Sequence, residues 1–214
     1  PGETARLLDR ITIKVSRFHR NRDAVEAVSR ALAEERARAP RRLAIWSAGC
    51  GRGEEPYTLA ILLAELGQPA EGPPAVVATD VDPGALADAR AGLYGDAALE
   101  EVAPEIRRRW FAIEGPAADP RWRVAEALRR GVAFARHDLA RDFWPPAGGP
   151  FDLVACRNTL IYFEAPLQRR ALALLCGALA PGGLLWLGEA EWPPEALQQR
   201  LQAVSQGRGV ITFQ

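Results

Sequence analysis

The sequence predicts an α/β fold: a doubly wound, mostly parallel, seven-stranded sheet with a terminal antiparallel hairpin and a small inserted subdomain. Three observations predict it. Short apolar runs alternate with helical stretches between Leu43 and Leu187, the pattern of a parallel sheet covered on both faces. The first apolar run ends in a glycine-rich turn that opens a helix, as at a ligand-binding sheet edge. The tail reads as two strands, Leu201 to Ser205 and Val210 to Phe213, joined by a Gly207-Arg208-Gly209 turn.

The elements follow in order. Residues 1–38 read as an N-terminal segment and helix. Within them Asn21 to Arg38 has helical spacing, with Val25, Val28, Leu32 and Ala33 on one face, and Pro40 stops it. Residues 39–214 form the main domain. Its expected strands are Leu43 to Ser47, Ala75 to Thr79, Val132 to Ala135, Phe151 to Cys156 and Leu184 to Leu187, followed by the hairpin. Helices are expected over Glu54 to Leu66, Pro83 to Ala91 and Ala165 to Leu179. The stretch from about 94 to 130, with Trp110, Phe111, Trp122 and two proline-rich turns, breaks the alternation. It reads as a small inserted subdomain or a long helix-loop segment.

Composition narrows the function. Lys plus Arg and Asp plus Glu are 27 each, so no global basic field argues for nucleic acid. Cys50, Cys156 and Cys176 are too few and odd in number for a disulfide framework and read as reduced thiols in a cytoplasmic protein. No secretory leader is visible and no apolar run reaches spanning length, so membrane insertion is not expected. No methionine occurs, so the chain reads as processed or as a piece of a longer protein. Neither His19 nor His137 has metal-ligand spacing, and no Cys-x-x-Cys occurs, so no metal site is expected; both histidines read as solvated or turn residues.

Four elements carry chemistry. Gly49-Cys50-Gly51-Arg52-Gly53 follows the first strand and lets the backbone approach a ligand closely. Where a dinucleotide fingerprint needs its third small residue the chain has Glu54, which would repel a pyrophosphate. The acids suit a ligand with a ribose and an amino group and no phosphate. Asp80 ends the second strand, where an acid accepts ribose hydroxyls, while Asp82 before Pro83 fits an N-cap. His137-Asp138-Leu139 follows the next strand, where a polar residue can hold a ligand amino group, an ordinary loop aspartate being the competing reading. Cys156-Arg157-Asn158 and Ile161-Tyr162-Phe163 follow the central strand, where Arg and Tyr can orient a carboxylate. Tyr162 packed as core is the competing reading.

Taken together with Glu54-Glu55-Pro56-Tyr57, Thr79-Asp80-Val81-Asp82, and the upstream Ile11-Thr12 and Phe18-His19-Arg20, these motifs resemble the CheR-type chemotaxis receptor protein-glutamate methyltransferases from about Ile11 onward. The resemblance implies the Rossmann-like fold of class I methyltransferases and S-adenosylmethionine as cofactor, with S-adenosylhomocysteine as product. It implies cofactor binding by Lys14, Ser16, Ala48, Gly49, Gly51, Gly53, Glu55, Asp80, Asp138, Leu139 and Asn158. Arg20, Arg157 and Tyr162 would line the methyl-transfer site. The 110–124 region would be the family's small β-subdomain, which contacts the receptor. The implied partner is a chemoreceptor or receptor-like substrate, with no nucleic acid. The family usually carries Asn at Lys14, Phe at His19 and often Asn at Asp138. A methyltransferase for another protein or a small molecule, or a non-catalytic S-adenosylmethionine sensor, is the alternative.

Overall fold

The computed structural model describes residues 16–38, 40–69, 72–116, 119–191, 193, 201–205 and 210–213, the last two spans as backbone. Helix α1 (Arg22–Arg38) precedes β1 (Ile45–Ala48), α2 (Glu54–Glu65), β2 (Val76–Asp80) and α3 (Pro83–Ala91). Then come β3 (Leu93–Gly95), α4 (Pro104–Trp110), β4 (Phe111–Glu114), β5 (Arg121–Val124), α5 (Glu126–Arg130) and β6 (Val132–Arg136). The chain continues through β7 (Phe151–Cys156), α6 (Ala165–Gly177), β8 (Leu179–Leu187), β9 (Leu201–Ser205) and β10 (Val210–Phe213).

Seven strands form one sheet in the order β6-β2-β1-β7-β8-β10-β9. The pairs among β6, β2, β1, β7 and β8 are parallel. β10 runs antiparallel to both β8 and β9. Strand order reverses between β1 and β7, so a crevice opens there at the C-terminal strand edge.

Every residue of β1 and β7 is buried, because helices cover both faces. Alternation divides the core in two. Ile45, Leu153, Leu184 and Trp186 face the layer that includes Val28, Leu32 and Leu59. Trp46, Val154, Leu185 and Leu187 face Leu172 and Leu175 of α6. The one acid in β7, Asp152, is satisfied by Arg41 Nη1 and the Ala44 amide, each at 2.8 Å.

Two local expectations change. Helix α6 stops at Gly177, and β8 begins at Leu179 rather than Leu184. Phe151 pairs with Leu179 and Leu153 with Leu184, so Pro181-Gly182-Gly183 is accommodated as a register shift inside one strand. The stretch left open between subdomain and helix-loop holds a three-stranded antiparallel sheet, β3-β5-β4. Tyr94 lies opposite Trp122, Phe111 opposite Val124, and the Arg107 guanidinium stacks 3.7 Å from the Trp122 ring centroid.

Candidate functional site

At the strand edge, the loops after β1, β2, β6 and β7 surround a cavity of about 730 Å³. This lies within the roughly 300–1,000 Å³ of small-molecule sites. Two walls of different construction enclose it.

One wall is built from βα turns. Gly49, Gly51 and Gly53 have φ of +74°, +53° and +97°, so the turn needs residues that tolerate the left-handed region. Gly49 and Cys50 donate backbone N–H to Thr79 O of the neighbouring strand at 2.8 and 2.9 Å. Gly51 donates to Asp80 Oδ2 at 2.8 Å, and Asp82 N donates to Asp80 Oδ1 at 2.9 Å. Asp80 is thus aimed by backbone, while each oxygen keeps a second lone pair for a ligand hydroxyl. Asp82 caps α3 by accepting from Gly84 N and Ala85 N, with Pro83 in the first turn, which is the capping role its position suggested. A Cβ on Gly51 would meet nothing within 4 Å; the open space there lies inside the cavity.

Glu54 and Glu55 stand in the first turn of α2, where acids complement the helix dipole. Both line the cavity. Ser47 Oγ donates to Glu55 Oε1 at 2.7 Å. Burial pushes the Glu55 carboxyl above the usual carboxylate range, and Arg157 and Ser47 pull it back. Burial raises Glu54 as well. On the adjoining loop Asp138 and Leu139 face the cavity; Asp138 Oδ1 accepts from Ala140 N at 2.9 Å, and Leu139 is buried.

The other wall brings together segments far apart in sequence. Phe18 is fully buried, edge-on to Tyr94 and Phe111 at centroid distances of 4.8 and 5.0 Å. Its N–H donates to Ala98 O at 2.9 Å. This anchor places Ser16 and Arg20, two residues to either side, at the cavity. Arg157 Nη2 donates to Arg20 O at 3.1 Å, and its Nη1 lies 3.9 Å from Glu55 Oε2. The Arg157 guanidinium lies 4.2 Å from the Trp186 ring centroid. Burial lowers the Arg157 pKa, against the pull of Glu55, yet a guanidinium stays charged. Asn158 takes the left-handed φ of 56°, which asparagine tolerates. Tyr162 is 66% exposed at the rim, which removes the reading of it as core.

Eleven expected site residues therefore meet at one cavity: Ser16, Arg20, Gly49, Gly51, Glu55, Asp80, Asp138, Leu139, Arg157, Asn158 and Tyr162. Two do not wall it. Ala48 is buried at the end of β1, and a Cβ on Gly53 would meet Ala89 and Tyr94, so these positions let the turn and α2 pack closely. Lys14 lies outside the described residues. His19 lies in a turn, as expected, whereas His137 is corrected from a solvated or turn residue to a buried one. His137 is 8% exposed and pairs through Nε2 with Trp144 O at 2.9 Å, and the His19 N–H donates to Thr58 Oγ1 at 3.1 Å. Cavity residues the sequence reading passed over include Cys50, Thr58 and Trp186. Trp186 could have been noticed as the only aromatic in an otherwise aliphatic strand end.

The chain's residues fit a phosphate-free adenosyl ligand: two aimed acids, an open space at Gly51 and no cluster of arginines along the glycine turn. No group of three or more His, Cys, Asp or Glu among the described residues is placed to hold a metal ion.

Comparison with known proteins identifies the family. The family described as "CheR methyltransferase, SAM binding domain" matches residues 14–210. A probable chemotaxis protein methyltransferase of Rhizobium etli is 34% identical over 196 residues, covering 89% of this chain and 72% of that protein. Chemotaxis protein methyltransferase 2 of Pseudomonas aeruginosa is 36% identical over 192 residues, covering 89% and 68%. The putative methyltransferase Cher3 of Pseudomonas putida is 37% identical over 195 residues, covering 89% and 69%. The chain belongs to the CheR methyltransferase family, whose described domain binds S-adenosylmethionine.

Proposed function

We propose that this chain transfers a methyl group from S-adenosylmethionine to glutamate side-chain carboxylates of a chemoreceptor-type protein in the cytoplasm. The observation that carries the reading is the meeting of Arg20, Arg157 and Tyr162 on one wall of the cofactor cavity, since cofactor binding alone requires none of them. The names of the relatives from Rhizobium etli and Pseudomonas aeruginosa support the receptor as substrate.

On this reading Gly49, Gly51, Glu55, Asp80, Asp138 and Leu139 hold the cofactor, with Ser16 and Asn158 at its edge. The bound sulfonium supplies an electrophilic methyl group. The chain's residues do the rest. A glutamate with a pKa of about 4.3 is already ionised near neutral pH, so the site needs no general base. Arg20 and Arg157 draw the carboxylate in and align it; Tyr162 closes the rim and excludes water. Burial, with Asp80 and Glu55 next in effect, keeps the Cys50 thiol protonated, so it does not compete for the methyl group.

We read residues 1–38 as an N-terminal segment and helix and 39–214 as the methyltransferase domain, with the 94–130 insertion as the receptor-facing subdomain. Among the described residues no helix is long and apolar enough to cross a membrane. The test is transfer of a labelled methyl group to a chemoreceptor cytoplasmic fragment, followed by mild base. Label released as methanol supports a glutamate ester. Base-stable label points to another acceptor, and binding without transfer points to a sensor.

A further inference from the structure

Glu191 lies just beyond β8 and is 4% exposed. Its Oε1 accepts the backbone N–H of Thr159 and Leu160, both at 2.7 Å, and that of Ile161 at 3.4 Å. Its Oε2 accepts from Asn158 at 2.8 Å and Gly188 at 2.7 Å. One carboxylate therefore gathers donors from four consecutive residues of the loop that carries Arg157 and Tyr162. Hydrogen bonds to an ionised acceptor are the stronger kind, and a carboxylate has the lone pairs to accept them together. The left-handed Asn158 is held within this grip.

The same short segment reaches the other arm of the wall. Glu189 accepts from Asn21 Nδ2, next to Arg20. Space for the clamp depends on Gly188, where a Cβ would stand 2.5 Å from Glu191 Oε2 and 3.0 Å from Asn158 N. The βα-turn wall is held separately, by Gly49 and Cys50 on Thr79 O, Gly51 on Asp80 and Ser47 on Glu55. The walls touch where Gly49 leaves room for the Thr159 hydroxyl.

We propose that Glu191 is the positioning residue of the acceptor wall: its carboxylate fixes the 157–162 loop so that Arg157 and Tyr162 meet the incoming carboxylate. For its activity arm alone this rests on the glutamate-transfer reading. The test uses Glu191→Gln and, in case that variant folds poorly, Gly188→Ala, which displaces the carboxylate without replacing it. Amide proton shifts and exchange at residues 158–160, calorimetry with S-adenosylhomocysteine, and single-turnover methyl transfer are measured on the full chain. The 158–160 amide protons should move upfield and exchange faster. Affinity should change by no more than about threefold, the lower end of one neutral hydrogen bond, while transfer falls about ten- to a hundredfold. Unchanged 158–160 amides in both variants, or transfer that falls only in proportion to affinity, would overturn the proposal. If the parent protein methylates no glutamate, the substrate reading fails, and the amide arm alone decides the clamp.

Discussion

The two walls of the cavity are held by different means. The βα-turn wall is local: Gly49 to Glu55 and Asp80 to Asp82 lie on consecutive elements, and neighbouring strand ends supply their bonds. The acceptor wall is assembled at long range. Arg157 reaches Arg20 across 137 residues, and Asn21 reaches Glu189 across 168. A wall built from turns follows once the sheet forms. A wall built from distant segments depends on every brace, so it is the one that substitutions should loosen first.

The sharpest way to break the acceptor wall alone is to remove its anchor. Phe18→Ala deletes a fully buried ring between Tyr94 and Phe111 and should cost about 3–5 kcal/mol of stability, read by urea denaturation. Among molecules still folded, transfer should fall further than cofactor affinity, which loses only the edge contact of Ser16. On the other wall, Gly51→Val places a branched side chain at φ +53° in open cavity space, and calorimetry should show cofactor binding lost in a folded protein. Intact binding would show that the ligand does not approach this turn. Asp80→Ala frees the N–H groups of Gly51 and Asp82 and should weaken cofactor binding by about 1–3 kcal/mol.

The smallest expected effect is in pH. Burial holds the free Glu55 carboxyl above its ordinary 4.5, so Glu55 takes up a proton at higher pH than an exposed glutamate. A cationic ligand prefers the ionised carboxylate. Affinity should therefore be constant near neutrality and fall as pH drops through the raised range, with proton release on binding there. Glu55→Gln should remove this acid limb; an unaltered limb would assign it to another group.

The difference between the walls also explains what was legible in the sequence. Apolar runs and capping residues announce β1, β2, β7, α2 and α3, because each is set by neighbours in sequence. Asp80 and the glycine turn were legible for the same reason. The β3-β5-β4 sheet is legible only through the family resemblance and not from the residues' own pattern, since its strands are three or four residues long and one of them reads Arg-Trp-Arg-Val. Pro181-Gly182-Gly183 looked like a strand boundary, and only pairing with β7 shows one bulged strand. Glu191 left no local mark: it acts on backbone N–H groups, which any sequence at 158–161 would offer. Arg20, Arg157 and Tyr162 were picked out through a family resemblance, and their meeting is a product of tertiary structure.

The central claim is that the walls divide the labour, one making most of the cofactor's contacts and the other, with only Ser16 and Asn158 at the cofactor's edge, placing the acceptor. The direct test is calorimetry with S-adenosylhomocysteine beside single-turnover methyl transfer at saturating cofactor, for Asp80→Ala and Arg20→Ala in parallel. Asp80→Ala should lose affinity and keep most of its transfer rate once saturated. Arg20→Ala should keep affinity and lose about one to two decades in transfer, the worth of a charge-assisted contact, with Lys restoring part of it. Proportional loss of affinity and transfer in both variants would contradict the division.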